Sequence, residues 1–502
     1  MRVRGAALVL VIALVGLAFP ARVAAGADPA QVGEFEIVDP GLLLTPVHAA
    51  VLHTGKVWIG TRPGNGPNDP PFGTFRSYLF DPITKTAAET QTPPWDLFCG
   101  GHVFLASGDL LIAGGTRGHP PGWTGSFERG TRKAYVFDPI TETYKPLPRM
   151  REGRWYPTLV TLANGNVYTF AGKDRTGNRM NQVPEVFNVT SGSWRTRPRT
   201  DPWPMYPHLF LTRGGRLFYT GGNVFSGSLG IDLPPPGFLN QANGALSPVS
   251  GLTHPVDRDQ SASVILPPAQ EQRVMIMGGG VLGEHETIDN VDIIDLDAAN
   301  PVYKAGPHML YPRMHLNAVV LPDRTVFVTG GASGREMHPV LESEIYDPRA
   351  DTWTAAAVSD VGRMYHSFAL LLPDGRVLVG GSNPDGMEAE VRLELYSPPY
   401  LFRGPRPVIT QAPGDAEYGG SVQITTTRAA EVKWVNLTRP SAVTHSMDTE
   451  QRLVNVNFRR LANGNLKLVL PGDATVAPPG WYMLTVTTRD GIPSEARWVR
   501  LG

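Results

Sequence analysis

Short apolar stretches, separated by turns rich in glycine and proline, dominate the sequence from about residue 39 onward. No stretch carries apolar residues at helical spacing over four turns, and Gly (55) with Pro (47) make up about a fifth of the chain. This pattern predicts many short strands joined by turns. We therefore expect an all-β protein, and a length of 502 residues predicts more than one domain.

One unit recurs seven times at intervals of about fifty residues: an apolar strand, a polar turn, a second apolar strand and closing glycine. The copies are His48–Gly60, His102–Gly115, Thr158–Gly172, His208–Gly222, Ala262–Gly279, Asn317–Gly331 and His366–Gly381. A second element of the type Tyr-x-Phe/Tyr-Asp-Pro lies between them, at Tyr78–Pro82, Tyr135–Pro139, Glu185–Val189, Val291–Leu296 and Glu344–Pro348. Two hairpins per period at this length are typical of kelch-type blades, whose radial stacking protects strand edges. The repeat predicts a seven-bladed β-propeller within residues 28–402.

The spacers between units differ in length, and the last hundred residues depart from the repeat. Thr61–Gly73 and Asn223–Asp259 are longer than turns require, which predicts insertions at one face of the propeller. The Pro-rich segment Ser397–Pro405 marks a boundary, and residues 403–502 predict an immunoglobulin-like β-sandwich. Its predicted strands are Ser421–Thr426, Glu431–Leu437, Leu453–Arg459, Asn465–Leu470 and Trp481–Thr488.

The N-terminus has the pattern of an export signal. Arg2 and Arg4 precede an apolar run to Phe19, and Ala25-Gly26-Ala27 offers a cleavage site, which predicts a signal peptide over residues 1–27. The apolar run is short for a membrane span, although an uncleaved anchor stays open. We expect a secreted or cell-envelope protein and a monomer. A net charge of −1 without Lys/Arg clusters gives no support to nucleic-acid binding.

Cys99 is the single cysteine of the chain, so no internal disulfide can form. An unpaired thiol in an exported protein is open to oxidation. Either Cys99 is buried and inert, or another covalent bond consumes it.

Candidate site residues stand at corresponding places in the repeat. Cys99, Tyr156 and the pair Tyr365-His366 precede the second, third and seventh units, and His445 lies in a polar loop of the last domain. Strand starts next to the axis point toward one end of the channel, so these side chains could converge there. Each alone has a plain structural explanation, as a small buried hydrophobe, an aromatic between blades, a bonded histidine or a solvated one. Their combination favours a functional site.

Four ordered motifs around these residues resemble the site motifs of the copper-radical oxidases, the family of galactose oxidase and glyoxal oxidase. They are Phe98-Cys99-Gly100-Gly101-His102, Arg154-Trp155-Tyr156-Pro157, Arg363-Met364-Tyr365-His366-Ser367 and Thr444-His445 followed by Thr449, Gln451 and Arg452. Pro478–Leu484 and Gly491–Ser494 likewise resemble the C-terminal domain of that family. The second motif is more similar to the glyoxal oxidase branch.

The resemblance implies one copper ion bound by His366 and His445 as imidazole ligands, Tyr156 as equatorial phenolate and Tyr365 as axial phenolate. Nitrogen and oxygen donors in tetragonal arrangement also suit Cu(II) chemically. It further implies a thioether between Cys99 and Tyr156, and a radical on Tyr156 as a second one-electron centre. In the implied reaction Tyr365 acts as general base, Tyr156 takes a hydrogen atom, and dioxygen leaves as hydrogen peroxide.

Relatives place an aromatic ring over the thioether. Trp155 neighbours Tyr156 in a predicted strand, where adjacent side chains point to opposite faces. We therefore expect the ring to come from Trp95, Trp123 or Trp203. Relatives often carry an amide at the position of Asp448, and we expect its carboxylate to alter the hydrogen bonding around His445.

Several alternatives remain open at this point. The substrate of such an oxidase is a small aldehyde or a primary alcohol, and a cell-wall or extracellular glycan is a further candidate partner. A kelch-type glycan-binding or envelope scaffold is the non-catalytic alternative, and it predicts the loss of at least one metal ligand. A copper or zinc hydrolase-like site using only His366 and His445 would leave both tyrosines and Cys99 without roles.

Overall fold

The computed structural model describes residues 26–62, 75–91, 93, 95–117, 128–224, 232–281, 286–334, 338–382 and 390–502. Residues 1–25, which hold most of the predicted signal peptide, and Trp123 lie outside the described residues. Helices in the described chain are short: Pro29–Val32, and the 3-10 turns Arg213–Gly215, Pro255–Asp257, Ala269–Glu271, Pro399–Leu401 and Ala429–Glu431. None of these helices is long and apolar enough to cross a bilayer.

Seven four-stranded antiparallel units form the propeller, which confirms the predicted all-β class and the blade count. From the innermost strand outward, the blades are Pro46–Val51, Val57–Thr61, Ser77–Asp81, Thr86–Glu89; Gly100–Phe104, Leu110–Gly114, Ala134–Asp138, Thr143–Pro146; Thr158–Thr161, Val167–Phe170, Glu185–Asn188, Ser193–Thr196; Leu209–Leu211, Leu217–Tyr219, Gly237–Leu239, Leu246–Pro248; Ala262–Ile265, Arg273–Met277, Val291–Asp295, Lys304–Ala305; Asn317–Val320, Val326–Thr329, Glu342–Asp347, Thr352–Val358; and Phe368–Leu371, Val377–Gly380, Leu393–Ser397, Glu34–Val38. A separate two-stranded sheet, Ala332–Ser333 with His338–Pro339, lies in the chain between the second and third strands of the sixth blade.

The seventh blade closes the ring with a strand from the N-terminal side. Glu34–Val38 pairs antiparallel with Leu393–Ser397, from Glu34 opposite Ser397 to Val38 opposite Leu393. The two ends of the propeller sequence are thereby hydrogen-bonded within one sheet, and the outer edge of that blade is covered.

Burial decreases from the inner strands to the outer ones. Every residue of Pro46–Val51 and of Gly100–Phe104 is buried, because each inner strand packs between neighbouring blades on both faces. The outer strand Thr86–Glu89 is largely exposed. This explains why the inner hairpins read as continuous apolar runs, the pattern that made the repeat visible.

The prediction that Asn223–Asp259 is an insertion was wrong for its central part. Gly237–Leu239 and Leu246–Pro248 are the two outer strands of the fourth blade. Each has only three residues and one of them ends in proline, so the sequence carries no alternating pattern there. Residues 225–231 of this segment and 63–73 of the other predicted spacer lie outside the described residues.

The C-terminal domain is a sandwich of two sheets. One contains Ile409–Gln411, Ser421–Thr426, Leu466–Val469 and Asn457–Arg460; the other contains Asp415–Ala416, Arg497–Leu501, Gly480–Thr488, Val432–Arg439 and Arg452–Asn455. The predicted strand Leu453–Arg459 is in fact two strands in different sheets, separated at the buried Val456. The sandwich and the fourth and fifth blades share one apolar core, in which Phe218 and Ile265 join Val435 and Leu484.

A hairpin of the C-terminal domain extends the first blade. Ala442–Thr444 pairs antiparallel with His48–Ala50 along the free side of the innermost strand, and Met447–Asp448 adds a sixth strand beyond it. Backbone hydrogen bonds thus anchor the tip of this hairpin inside the propeller channel.

Four blades tie the segment before their inner strand to their third strand by a buried ion pair. The pairs are Arg154–Glu185, Arg258–Asp292, Arg313–Glu344 and Arg363–Glu394, with side chains no more than 1% exposed. In the sixth blade Arg313 also donates to the carbonyl oxygens of Gly330 and Glu342, at 2.9 and 2.8 Å. These arginines fix the position of the residues that follow them, which include the candidate site.

Breaking one such pair is expected to destabilise the propeller. Replacing Glu344 by leucine leaves the Arg313 guanidinium buried without its carboxylate, a change that typically costs about 3–5 kcal/mol. Urea unfolding of the copper-free protein should show this loss, and the double variant Arg313→Met/Glu344→Leu should recover most of it. A loss below about 1 kcal/mol for Glu344→Leu, the size of an exposed pair, would contradict this assignment.

Candidate metal centre

The residues before six successive inner strands share an unusual backbone conformation. Cys99, Tyr156, Tyr206, Gln260, His315 and His366 have φ of 64°, 62°, 41°, 57°, 59° and 67°. Left-handed conformation costs a non-glycine residue roughly 1–2 kcal/mol, and such strain concentrates at functional sites. The sharp turn precedes each strand at the same end of the channel, so the six residues lie around the channel axis, one from each of the second to seventh blades.

Backbone hydrogen bonds connect neighbouring members of this group. The Tyr156 N–H donates to the Cys99 carbonyl at 2.9 Å, and the Tyr206 N–H donates to the Tyr156 carbonyl at 3.0 Å. The Cys99 N–H donates to Nε2 of the buried His48 at 3.1 Å. Both the conformation and the position of the predicted site residues are therefore fixed by their neighbours.

The seventh blade contributes two adjacent side chains to the centre. The segment between its buried arginine and its left-handed residue is one residue longer than in the third and sixth blades. The buried arginine precedes the left-handed residue by two positions in Arg154–Tyr156 and Arg313–His315, but by three in Arg363–His366. The arginines are equivalent, since each donates to a carbonyl that follows its own inner hairpin, at 2.9 Å in all three cases. The extra residue is Tyr365.

The predicted copper ligands meet at one point. The Tyr156 hydroxyl lies 2.5 Å from the Tyr365 hydroxyl and 3.0 Å from Nε2 of His445. The His366 ring stacks on Tyr365 with centroids 3.8 Å apart, and it meets the His445 ring edge-on at 4.7 Å. Two imidazoles and two phenols from three separate parts of the fold thus surround a common position.

This donor set fits one copper ion. Imidazole nitrogen and oxygen donors suit Cu(II), and a cation among the two phenols would replace the hydrogen bond that they now share. No three histidine, cysteine or carboxylate side chains converge on a common point within the described parts of the chain. The phenol oxygens are therefore needed to complete a set of four ligands.

His445 reaches the centre through a tight turn. His445 and Ser446 are the two central residues of the hairpin that pairs with the first blade, and both have positive φ, 50° and 63°. Two-residue hairpin turns of this kind normally carry asparagine or glycine, so the histidine here is an exception. Thr444 Oγ1 lies 2.6 Å from Nδ1 of His445. With Nδ1–H donating to Thr444, Nε2 faces the phenols with its lone pair.

Removing this hydrogen bond is expected to weaken metal binding. A Thr444→Val variant keeps the shape of the side chain but leaves the His445 ring without its orienting partner, and loss of such a partner lowers metal affinity about 10–100-fold. Competition with a chelator of known copper affinity measures the change. Thr444→Ser, which keeps the hydroxyl, should stay near the parent affinity, and equal affinities for the valine and serine variants would contradict this role.

Cys99 lies against Tyr156 in a closed apolar cluster. Both side chains are buried, at 0% and 1% exposure, among Trp155, Met205 and Met447. Burial raises the pKa of the Cys99 thiol well above its ordinary value, and a hydrogen bond with Tyr156 opposes that shift. The Cys99 thiol is therefore shielded from reagents in solvent, and its sulfur lies next to the Tyr156 ring.

Burial also favours the neutral forms of Tyr156 and His445. It raises the pKa of Tyr156 well above its ordinary value, with the nearby Cys99 and Tyr365 adding to the shift. It lowers the pKa of His445 well below its ordinary value, with the His366 imidazole adding to that shift. Neutral imidazole is the form that binds metal. Tyr365 is partly exposed, whereas the other three predicted ligands are buried. It therefore lies on the side of the centre that faces solvent.

Trp155 lies beside Tyr156, although strand alternation predicted that the two side chains point to opposite faces. The two rings meet edge-on with centroids 4.0 Å apart. Tyr156 is left-handed and outside any strand, so neighbouring side chains need not point to opposite faces. Trp203 packs instead between Phe170 and Tyr219.

Trp95 and Asp448, both expected to act at the centre, make other contacts in the structure. Lys133 covers the Trp95 ring, with its ammonium 4.1 Å from the centroid. Asp448 Oδ1 accepts the N–H groups of Glu450 and Gln451, at 2.9 and 3.0 Å. The Asp448 carboxylate therefore caps the turn after the hairpin, and the hydrogen-bond partner of Nδ1 of His445 is the Thr444 hydroxyl instead.

Three residues near the centre were not predicted. The Tyr206 ring meets Tyr156 edge-on at 4.5 Å, and its hydroxyl donates to the Gly100 carbonyl at 2.8 Å. The His315 ring lies 5.2 Å from that of Tyr365, and His48 accepts the Cys99 N–H. A sequence signal existed for two of them, because Tyr206-Pro207 repeats Tyr156-Pro157, and His315 precedes its strand as His366 does.

Comparisons with known proteins agree with this fold and centre. Two family models match the chain: "Glyoxal oxidase N-terminus" over residues 256–400, and "Galactose oxidase-like, Early set domain" over residues 406–501. The chain is 26% identical to galactose oxidase of Gibberella zeae, with 92% of this chain and 69% of that protein covered. It is 28% identical to the aldehyde oxidase GLOX1 of Arabidopsis thaliana, with 81% and 71% covered.

A longer relative and a solved structure extend these matches. A WSC domain-containing protein of Arthroderma benhamiae is 29% identical over 94% of this chain, and the chain spans 52% of the length of that protein. A fungal alcohol oxidase of the AA5 family, solved in complex with copper, superposes with a TM-score of 0.77 at 22% identity, covering 94% of this chain and all of the other. At that identity the structural likeness shows the fold alone.

Fold and centre together define a seven-bladed propeller with an early-set domain that completes a two-tyrosine, two-histidine site. Residues 256–400 and 406–501 match models of the glyoxal oxidase and galactose oxidase family, and most of the chain is similar to members of that family. The match of residues 256–400 to the model "Glyoxal oxidase N-terminus" agrees with the glyoxal oxidase branch predicted from the sequence.

Proposed function

We propose that the protein is a copper-dependent oxidase that converts small aldehydes or primary alcohols with dioxygen and releases hydrogen peroxide. The observation that carries this proposal is the meeting of Tyr156, Tyr365 and His445 within 3.0 Å, with the Cys99 thiol against Tyr156. His366 completes the ligand set. A scaffold that had lost its chemistry would be expected to lack one of these residues.

Bound copper would supply a one-electron acceptor and a Lewis acid beside the two phenols. Tyr365, the residue nearest solvent, would accept as a phenolate the proton from the hydroxyl of the alcohol or of the hydrated aldehyde. Tyr156, buried behind it, takes a hydrogen atom from the substrate carbon once it is in its radical form. The two electrons and two protons removed from each substrate molecule leave on dioxygen as hydrogen peroxide. The closed cluster around Tyr156 excludes water and competing donors from the radical.

The Cys99–Tyr156 thioether is part of the same proposal. Its formation joins the Cys99 sulfur to a ring carbon of Tyr156 and removes one hydrogen from each partner, with dioxygen as the acceptor of both. The cross-link would lower the potential of the Tyr156 radical and also remove the only thiol of the chain from later oxidation. That second consequence suits an exported protein, which we propose from the predicted signal peptide.

A peroxide assay tests the proposed reaction. Copper-loaded protein is expected to release peroxide with at least one of glyoxal, methylglyoxal and galactose, while copper-free protein and the copper-loaded Tyr156→Phe variant release none. The relative rates of peroxide release with the three substrates decide between aldehyde and primary alcohol oxidation. Copper-loaded, cross-linked protein that gives no peroxide with any aldehyde or alcohol of a broad panel would contradict the proposal.

A further inference from the structure

A cationic cavity lies beside the metal centre at the same end of the blades. Its volume is about 330 Å³, and five of its eight lining residues are Arg117, Arg132, Lys133, Arg149 and Arg175, with no carboxylate among the eight. The whole chain, by contrast, has a net charge of −1, so this concentration of cations is local.

The cavity and the metal centre share one backbone segment. Thr131 in the cavity wall pairs with Arg154, which donates its N–H to the Thr131 carbonyl at 3.0 Å. The neighbouring Gly130 N–H donates to the Asp174 carbonyl at 2.8 Å. Arg154 precedes Tyr156 by two residues. A ligand held in this cavity would therefore contact the segment that pairs with Arg154, without contacting the predicted copper ligands.

The positive charges of the cavity are poorly compensated within the described protein. Arg132 Nε donates to the Met150 carbonyl at 2.7 Å, and Arg117 donates to the Arg175 carbonyl at 3.3 Å. Arg175 lies 3.5 Å from a Glu152 oxygen, the one ion pair shown for the five cations among the described residues. Burial and the nearby Arg149 lower the pKa of Lys133, as expected where like charges are held together. An anion would relieve this repulsion.

We propose that this cavity binds the carboxylate groups of an acidic carbohydrate chain. Guanidinium groups bind carboxylates in a bidentate manner, and the Trp95 ring holds the Lys133 ammonium in the cavity wall at 4.1 Å from its centroid. The choice of a carbohydrate rests on the proposed function, because a site that oxidises alcohols or aldehydes acts on groups that sugars carry.

Calorimetric titration of copper-free protein tests the proposal. Trigalacturonate is expected to bind at low ionic strength and to bind several-fold more weakly in about 0.3 M salt, whereas neutral maltotriose should not bind. The double variant Lys133→Glu/Arg149→Glu should lower the affinity for trigalacturonate at least about tenfold. The matched control is Arg195→Glu/Arg459→Glu, which makes the same change in net charge at two exposed arginines elsewhere and should bind like the parent.

Several results would overturn the proposal. One is equal affinity of the cavity variant and the control variant for trigalacturonate. The others, both for the parent protein, are equal affinity for trigalacturonate and inorganic sulfate, or a higher affinity for a short oligothymidylate than for trigalacturonate. Thermal unfolding checks that each variant is folded, and Lys133→Ser/Arg149→Ser replaces the charge reversal if that variant is unstable. Because the titration uses copper-free protein, its failure leaves the oxidase proposal standing, and a failed peroxide assay leaves the binding result standing.

Discussion

Replacing Cys99 by serine is expected to leave copper binding near the parent level and to lower turnover at least about a hundredfold. For a one-electron couple, a hundredfold loss corresponds to about 120 mV of added potential at the radical residue. Cys99 lies outside the ligand set, but its sulfur is the group against the Tyr156 ring. Without the sulfur, Tyr156 remains an ordinary buried phenol that is harder to oxidise.

The measurement pairs copper affinity with steady-state peroxide release on one preparation of the variant. Tyr206→Phe is the matched control, since it removes a hydroxyl beside Tyr156 and leaves the thiol in place. The control should keep the Tyr156 cross-link when it is matured with copper and air. A Cys99→Ser variant that turns over as fast as the parent would refute the role of the sulfur.

Replacing His445 by alanine is expected to lower copper affinity at least about a hundredfold, more than the 10–100-fold typical of an outer-shell partner. His445 Nε2 is the nitrogen 3.0 Å from the Tyr156 hydroxyl, so its loss removes one of two imidazole ligands. The hairpin that carries it is held by backbone pairing with His48–Ala50, and that pairing does not depend on the side chain. The fold should therefore survive the substitution.

His315→Gln is the discriminating control for His445. This imidazole also lies at the centre, with its ring 5.2 Å from that of Tyr365, and it belongs to the same group of left-handed residues. The proposed ligand set excludes it, so its copper affinity should stay within about tenfold of the parent. If His315→Gln lost as much copper affinity as His445→Ala, the assignment would be wrong, and His315 would have to be counted as a copper ligand.

The inner half of the propeller and the members of the centre could be predicted from sequence for a physical reason. Inner strands such as Gly100–Phe104 are buried on both faces, so their apolar runs repeat without interruption and make the blade period visible. Cys99, Tyr156 and His366 stand at one place in that period, and the radial repeat brings equal places together. The outer strands of the fourth blade, with three residues each, carried too little pattern to be found.

Two features of the centre depend on contacts that local sequence does not encode. His445 comes from the other domain through pairing of Ala442–Thr444 with the first blade, about 390 residues earlier in the chain. Trp155 faces Tyr156 because Tyr156 is left-handed, and the sequence gives no sign that strand alternation is broken there. In both cases the information lies in the packing of the whole propeller.

The proposed chemistry depends on one covalent bond, and peptide mass spectrometry of protein matured with copper and air detects it directly. The peptides that contain Cys99 and Tyr156 are predicted to appear as a single species, lighter than their sum by two hydrogens. Copper-free protein kept without oxygen should give the two peptides separately. Recovery of an alkylatable Cys99 after full exposure to copper and oxygen would contradict the account.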